Sequence, residues 1–238
     1  MPEALQLRGA NVTQLPGFAE GHFHVQDLAA QLCCRALDPR PGNTVFDLCA
    51  APGGKTFTLA EMMQDTGRVI AVDLHKNRVR LVAEGAARLG LRCVEPRQGD
   101  ALRAADLPGI AGYADRVLCD VPCSGLGILR KKPDIREKLH TELDKLPEMQ
   151  YAIVCAGAAC VAQEGVLVYA TCTLRPAENE EVCRRFLRAH PGFAALPVLP
   201  EHETGRRAPE GFLTLMPHLG GTDGFFIAKF GRKKESHD

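Results

Sequence analysis

The chain lacks several features that mark common protein classes. Its 238 residues include no Trp, and only 5% are aromatic, so aliphatic side chains must form most of the core. The longest apolar run covers twelve residues, 151–162, whereas a helix that crosses a bilayer needs about 18–20. No basic segment followed by an apolar stretch opens the chain, so we expect neither a signal peptide nor a membrane span. The 29 basic and 29 acidic residues balance, so a nucleic-acid partner would have to meet a local basic patch.

The sequence also lacks the C-x-x-C pairs of zinc ribbons and thioredoxin-like proteins, which leaves no predicted metal site. Its ten cysteines mostly lie inside apolar runs, as in YAIVCAGAAC, where buried thiols are common. A chain of this length can bury a core without disulfides. We therefore expect free thiols and a reducing, cytoplasmic location.

What the sequence does contain is an alternation of strands and helices. Apolar runs predict strands at 44–50, 68–74, 92–100, 115–122, 165–171 and 224–230. Helical spacing predicts helices at 24–37, 55–64, 75–90, 135–162 and 177–189, with Pro147 breaking or kinking the fourth. This pattern is typical of an α/β protein with a Rossmann-like, doubly wound, mostly parallel sheet. Residues 1–40 form an extension with a first helix, and 41–238 form the principal domain.

Ligands of such sheets bind beyond the carboxyl ends of the strands. The segment that follows the first predicted strand, DLCAAPGGKT, can be interpreted in two ways. Gly54-Lys55-Thr56 resembles the end of a P-loop, but position 49 is Cys where a P-loop needs Gly, and Pro52 offers no backbone N–H to a phosphate. No G-x-G-x-x-G dinucleotide motif is present.

The second interpretation is a loop that lets a small cofactor approach the backbone. Gly53 and Gly54 permit close approach, and the N-terminus of the following helix favours a carboxylate. Asp73 ends the second strand, where it can accept hydrogen bonds from a ribose. Asp100 follows the third strand, where it can accept a hydrogen bond from the adenine amine. Each of these acids alone could simply cap a turn or helix. Together they suit S-adenosylmethionine (AdoMet).

Two cysteines differ from the other eight because they follow strands and lie beside Gly, Ser and Thr. Cys123 stands in DVPCSG and Cys172 in TCT. Each alone is more often a structural residue. Two thiols and an acid, Asp120, around a methyl donor suggest covalent activation of carbon-5 of cytosine by thiolate addition to carbon-6. The acid could hydrogen-bond the ring at N3 and N4.

With these motifs the chain resembles a known family, the Sun/Fmu (NOL/NOP/Sun) RNA cytosine-5 methyltransferases, and within it the bacterial branch that acts on 16S ribosomal RNA. The matching stretches lie between His22 and Phe230 and are FHVQD, DLCAAPGGKT, VDLHKNRVR, CDVPCSGLG with RKKPD, YATCTLRPAENEEV and GTDGFFIAKF. The resemblance implies AdoMet as cofactor and RNA as partner, with no obligate protein partner inferred. The AdoMet-binding residues that it implies are Cys49, Ala50, Ala51, Pro52, Gly53, Gly54, Lys55, Asp73, Asp100 and Asp120.

The same resemblance makes Cys172 the nucleophile, Cys123 the thiol that assists product release, and Asp120 a residue that also faces the base. The sequence alone cannot order the thiols, because in DNA cytosine methyltransferases a Pro-Cys cysteine attacks. Local electrostatics favour Cys172, since a helix N-terminus near Pro176 would lower its pKa while Asp120 would keep Cys123 protonated. A P-loop hydrolase and an RNA-binding scaffold without catalysis remain as alternatives.

Full-length members of the bacterial branch carry an N-terminal, helical, NusB-like RNA-binding domain. Only about 40 residues precede the first predicted strand here, too few for that domain. We expect the chain to be an excised catalytic domain rather than a naturally short protein. Basic residues near the predicted site could hold a phosphate backbone or could merely form a solvated surface. They are Arg130, Lys131, Lys132, Arg136, Lys138, Arg184, Arg185 and Arg188.

Overall fold

A computed structural model describes residues 5–7, 11–137, 143–201 and 205–234. In that part of the chain, strands and helices alternate as the sequence predicts. The helices are α1 (Leu28–Leu37), α2 (Gly54–Met62), α3 (Lys76–Leu89), α4 (Leu146–Cys160), α5 (Glu180–Ala189) and α6 (Pro217–Gly220). The strands are β1 (Thr44–Asp47), β2 (Arg68–Asp73), β3 (Val94–Gln98), β4 (Ala114–Asp120), β5 (Val161–Thr171), β6 (Phe193–Leu196), β7 (Arg206–Arg207), β8 (Leu213–Leu215) and β9 (Phe225–Arg232).

The strands form one open sheet in the order β3-β2-β1-β4-β5-β9-β8-β7, with β6 also paired to β9. β1 to β5 are parallel, and β9 runs antiparallel to β5. Successive strand residues face opposite sides, so Val45 packs in the core layer under α1 and α2 while Phe46 packs in the layer under α4 and α5. Both are fully buried, which explains the continuous apolar strands. The doubly wound, mostly parallel Rossmann-like fold is confirmed.

The structure corrects the prediction for residues 135–162. Pro133–Glu137 form a 3-10 turn, α4 begins at Leu146, and β5 begins at Val161. Pro147 is the second residue of α4, where its missing N–H would have no helical partner, so it neither breaks nor kinks the helix. β6, β7 and β8 were not predicted, because strands of two to four residues carry no readable period.

Every cysteine of the chain is a free thiol. Within the described ranges, no helix is long and apolar enough to cross a bilayer. The same ranges contain no cluster of three or more His, Cys, Asp or Glu side chains that could hold a metal ion.

Candidate active site

The loop between β1 and α2 follows the carboxyl end of a central strand. A backbone hydrogen bond from Ala50 N to Val72 O at 2.9 Å fixes it to β2, and one from Gly53 N to Ala50 O at 2.8 Å closes a turn within it. Gly53 adopts a φ of 112°, and a Cβ there would overlap the Phe57 ring. Only glycine satisfies both conditions, which gives this part of the motif a physical reason.

A cavity of about 210 Å³ opens against this loop. Its walls bring together most of the residues predicted from the loop motif with Asp120 from the end of β4. The lining includes Cys49, Ala50, Ala51, Pro52, Gly54, Lys55, Asp47 and Asp120, with Val25, Gln26, Asp27 and Ala30 on the other side. Gly53, Asp73 and Asp100 are not part of the lining, although they were predicted to bind the same cofactor.

Asp73 holds the loop in place from the end of β2. Its Oδ2 accepts a hydrogen bond from Ala51 N at 3.3 Å, and its Oδ1 accepts one from His75 N at 3.2 Å. Arg78 lies 3.4 Å from the same carboxylate and donates to Ala51 O at 2.8 Å. Each carboxylate oxygen keeps lone pairs for further donors, so a role toward a ribose stays a prediction.

Asp100 caps the 3-10 helix Ala101–Asp106, as the simpler interpretation of this residue allowed. Its Oδ1 accepts a hydrogen bond from Leu102 N at 2.9 Å. The cap uses one oxygen and leaves the other for a donor such as an amine. Contact with adenine is not tested by this geometry and stays a prediction.

Asp47 is a functional candidate that the sequence reasoning did not select. Its carboxylate is 1% exposed, and its Oδ2 accepts the Thr56 hydroxyl at 2.7 Å, while Oδ1 has no hydrogen-bond partner. Burial raises the pKa of Asp47 to about 7, despite the Thr56 hydrogen bond. A carboxylate oxygen without a partner in the cavity wall fits a cationic amine such as that of a methionine moiety. The available signal was an acid inside an apolar strand.

Lys55 and Asp120 form an ion pair at the cavity wall, with Nζ 2.6 Å from Oδ2. Their side chains are only 15% and 26% exposed. Burial by itself lowers the pKa of Lys55, but the charge of Asp120 outweighs it, so the net pKa is above the ordinary value. The loop motif therefore delivers a charged donor to the end of β4, which argues against a lysine free to bind phosphates.

Cys123 and Cys172 follow β4 and β5 and meet beside this ion pair. Their sulfur atoms lie 3.2 Å apart. A hydrogen bond from Cys123 lowers the pKa of Cys172, against the effect of burial and of Asp120. The same hydrogen bond, together with burial, raises the pKa of Cys123 well above its ordinary value.

These directions agree with the sequence-based assignment, but the cause differs. Pro176–Glu178 form only a three-residue 3-10 helix, and α5 begins at Glu180, so the α-helix N-terminus that was expected near Pro176 lies further along the chain. The partner thiol is the main cause of the lowered pKa of Cys172. Asp120 raises the pKa of both thiols rather than that of Cys123 alone.

The basic residues are engaged more fully than the sequence suggested. Lys131 contacts Asp27 at 2.7 Å and Asp223 at 2.6 Å, and it thereby ties the start of α1 to the loop before β9. Further ion pairs join Arg130 to Asp223, Arg184 to Glu210, and Arg185 to Glu148. Among the residues that the structure describes, Lys132, Arg136 and Arg188 form no ion pair; Lys138 lies outside them.

The sheet order, the glycine loop after β1 and the acids at the ends of β2 and β4 define the class I fold of AdoMet-dependent methyltransferases, a class whose cofactor is S-adenosylmethionine. A sequence model of the family described as 16S rRNA methyltransferase RsmB/F matches residues 34–231. The chain belongs to that family.

Individual relatives support the same family. The chain is 43% identical over 234 residues to the probable ribosomal RNA small subunit methyltransferase B of Synechocystis sp., and the alignment covers 96% of this chain and 52% of that protein. It is 39% identical over 240 residues to the protein of the same description from Bacillus subtilis, with 97% and 52% covered. The chain thus spans about half the length of the curated relatives it matches.

Solved structures are similar over nearly the whole chain. NSun6 from Pyrococcus horikoshii, solved with SFG, superposes with a TM-score of 0.85 and 33% identity, over 96% of this chain and 57% of that one. A methyltransferase homolog from Pyrococcus horikoshii gives a TM-score of 0.81 and 30% identity, with 94% and 73% covered.

Proposed function

We propose that the chain methylates carbon-5 of a cytosine in RNA, with 16S ribosomal RNA as substrate, through a covalent bond between Cys172 and the base. The observation that carries this proposal is the contact of two thiols 3.2 Å apart beside the partly buried Lys55–Asp120 pair. Neither a simple amine nor a hydroxyl substrate would require a second thiol at the nucleophile.

In this proposal Cys172, whose pKa is lowered, attacks carbon-6 as the thiolate and makes carbon-5 nucleophilic. Bound AdoMet supplies the methyl group that carbon-5 takes. The proton on carbon-5 must then leave, the sulfur–carbon-6 bond must break, and its electron pair returns to Cys172. Once Cys172 is bonded to the cytosine, it no longer bears the charge that helps keep Cys123 protonated, so Cys123 can release its own proton to water and then, as the thiolate, accept the carbon-5 proton.

The charged pair at the cavity wall serves the base in the same proposal. Asp120 accepts a hydrogen bond from the exocyclic amine of cytosine, and Lys55 stabilises the charge of Asp120. The orphan Oδ1 of Asp47 receives the AdoMet ammonium, and Asp73 and Asp100 bind its ribose and adenine. Residues 41–238 form this catalytic domain.

The phosphate backbone of the RNA is held outside the cavity. Lys132, Arg136 and Arg188, which form no ion pair within the described segments, remain for phosphates. Free thiols at all ten cysteines fit a reducing, cytoplasmic location.

The test uses unmodified 16S RNA and labelled AdoMet. We expect Cys172→Ala to form no covalent RNA adduct. Cys123→Ala should attack and methylate but release slowly, so an adduct that survives denaturing electrophoresis accumulates. Cys155→Ala, a matched control in α4, should behave as wild type.

The opposite pattern, an adduct with Cys172→Ala and none with Cys123→Ala, would reverse the roles. Turnover without an adduct in either variant would exclude the covalent mechanism. Calorimetry that detects ATP binding but no AdoMet binding would instead support a nucleotide hydrolase.

A further inference from the structure

A fully buried carboxylate lies behind the two thiols and takes no part in the proposed chemical steps. Glu178 is 0% exposed and ends the turn Pro176–Glu178. Its Oε2 accepts hydrogen bonds from Ser124 N and Gln150 Nε2, both at 2.9 Å, and Arg175 lies 3.3 Å from Oε1. Burying a charge is costly, so a carboxylate kept here needs a reason beyond filling space.

The contact with Ser124 is specific to one thiol. Ser124 directly follows Cys123, and it is completely buried. Gln150, which shares Oε2 of Glu178, donates its other amide hydrogen bond to Pro122 O at 2.9 Å. The backbone on both sides of Cys123 is therefore held by one cluster whose central acceptor is Glu178.

The next residue along the chain holds the other thiol. Asn179 donates to Thr173 O at 3.0 Å and accepts the Thr171 hydroxyl at 2.6 Å, so it contacts both neighbours of Cys172. A direct link joins the two loops, because Ser124 Oγ lies 2.7 Å from Thr173 Oγ1. Glu178, the last residue of the turn, and Asn179, which follows it, thus hold one cysteine loop each.

We propose that Glu178 and Asn179 are positioning residues that set the separation of the two thiols, with Glu178 acting on release through Cys123 and Asn179 on attack through Cys172. This inference rests on the proposed function. Release requires Cys123 to meet the carbon-5 proton while the Cys172 sulfur leaves carbon-6 with its electron pair. A misplacement of about 1 Å can cost about 100-fold in rate, so a loosened Ser124 backbone should slow this step without preventing attack.

The experiment compares Glu178→Met with Glu178→Gln in the adduct assay with 16S RNA. Methionine has a similar length and lacks the carboxylate acceptor, whereas glutamine can keep its oxygen toward Ser124 and Gln150. We expect Glu178→Met to lower multiple turnover by about 10- to 100-fold while the adduct accumulates, and Glu178→Gln to restore release. Thr173→Val removes the direct link between the loops, so it should show the same accumulation of adduct. It replaces Glu178→Met as the test variant if that protein does not fold.

Asn179→Asp keeps an acceptor for Thr171 but loses the donor to Thr173, so it should slow adduct formation itself. Glu84→Met, at an exposed position of α3, is the matched control and should leave both steps unchanged. General damage to the fold would lower adduct and turnover together, and such a result with Glu178→Met and Thr173→Val would overturn the inference.

The cysteine variants distinguish a failure of the positioning role from a failure of the proposed function. If Cys172→Ala and Cys123→Ala behave as proposed while Glu178→Met releases product normally, only the positioning role is wrong. If the cysteine variants fail to show their pattern, the proposed function itself fails.

Discussion

The raised pKa of the buried Asp47 carboxylate predicts how the free energy of unfolding changes with pH. Burial raises its pKa from 3.8 to about 7 in the folded chain. A group with a raised folded-state pKa contributes stability that is present below the unfolded pKa and is lost as pH rises through the folded pKa. The difference between these two pKa values corresponds to a contribution of about 4 kcal/mol to the free energy of unfolding, which is present at low pH and lost at high pH.

Much of that loss falls within an accessible pH range. Between pH 5 and pH 8, Asp47 should lower the free energy of unfolding by roughly 2–3 kcal/mol. Asp47→Asn removes the titration while its amide oxygen can still accept the Thr56 hydroxyl. The new amide N–H groups at the orphan position cost about 1–3 kcal/mol, so the absolute stability of the variant is less informative than its pH slope.

The assay is urea unfolding at pH 5, 6, 7 and 8 for wild type, Asp47→Asn and the exposed-position control Asp106→Asn. Carboxylates with lowered pKa, such as Asp65 and Glu95, contribute stability that is present above their unfolded pKa and is lost as pH falls, so their contribution changes little from pH 5 to pH 8. The quantity of interest is the difference between variant and wild type, in which the other titrating groups cancel. That difference should grow in favour of Asp47→Asn by roughly 2–3 kcal/mol from pH 5 to pH 8. A difference that stays constant with pH would refute the assignment of the raised pKa.

The remaining predictions concern the cofactor and the thiols. Asp73→Ala removes an acceptor that also holds the Ala51 backbone, so calorimetry should show AdoMet binding weakened by about 1–3 kcal/mol, while Asp106→Ala should leave it unchanged; equal affinity in both would remove Asp73 from the site. In wild type, Cys172 should react with iodoacetamide at a lower pH than a thiol of ordinary pKa, as followed by peptide mass spectrometry. Cys123→Ala should move the midpoint of that pH profile upward, because the hydrogen bond that lowers the pKa of Cys172 is lost; an unchanged midpoint would contradict this cause.

Local patterns in the sequence were sufficient for the order of the principal strands and helices. Apolar runs and helical spacing depend on neighbours within one strand or turn, so β1, β2, β4 and most of α3 lie close to their predicted bounds. The glycines of the β1–α2 loop were also interpretable, since a positive φ at Gly53 is a property of the local backbone. Because ligands of parallel sheets bind at the carboxyl ends of the strands, these elements already indicated which residues to inspect.

Tertiary structure decided which of those residues meet. Lys55 and Asp120 are 65 positions apart, and Cys123 and Cys172 are 49 apart, yet both pairs are in contact because β4 lies between β1 and β5 in the sheet. The lowered pKa of Cys172 comes mainly from its partner thiol across that strand order, and a hydrogen bond from its own backbone contributes less. The unpaired oxygen of Asp47 likewise depends on packing, because an acid inside an apolar strand indicates burial but does not show which of its two oxygens finds a hydrogen-bond partner.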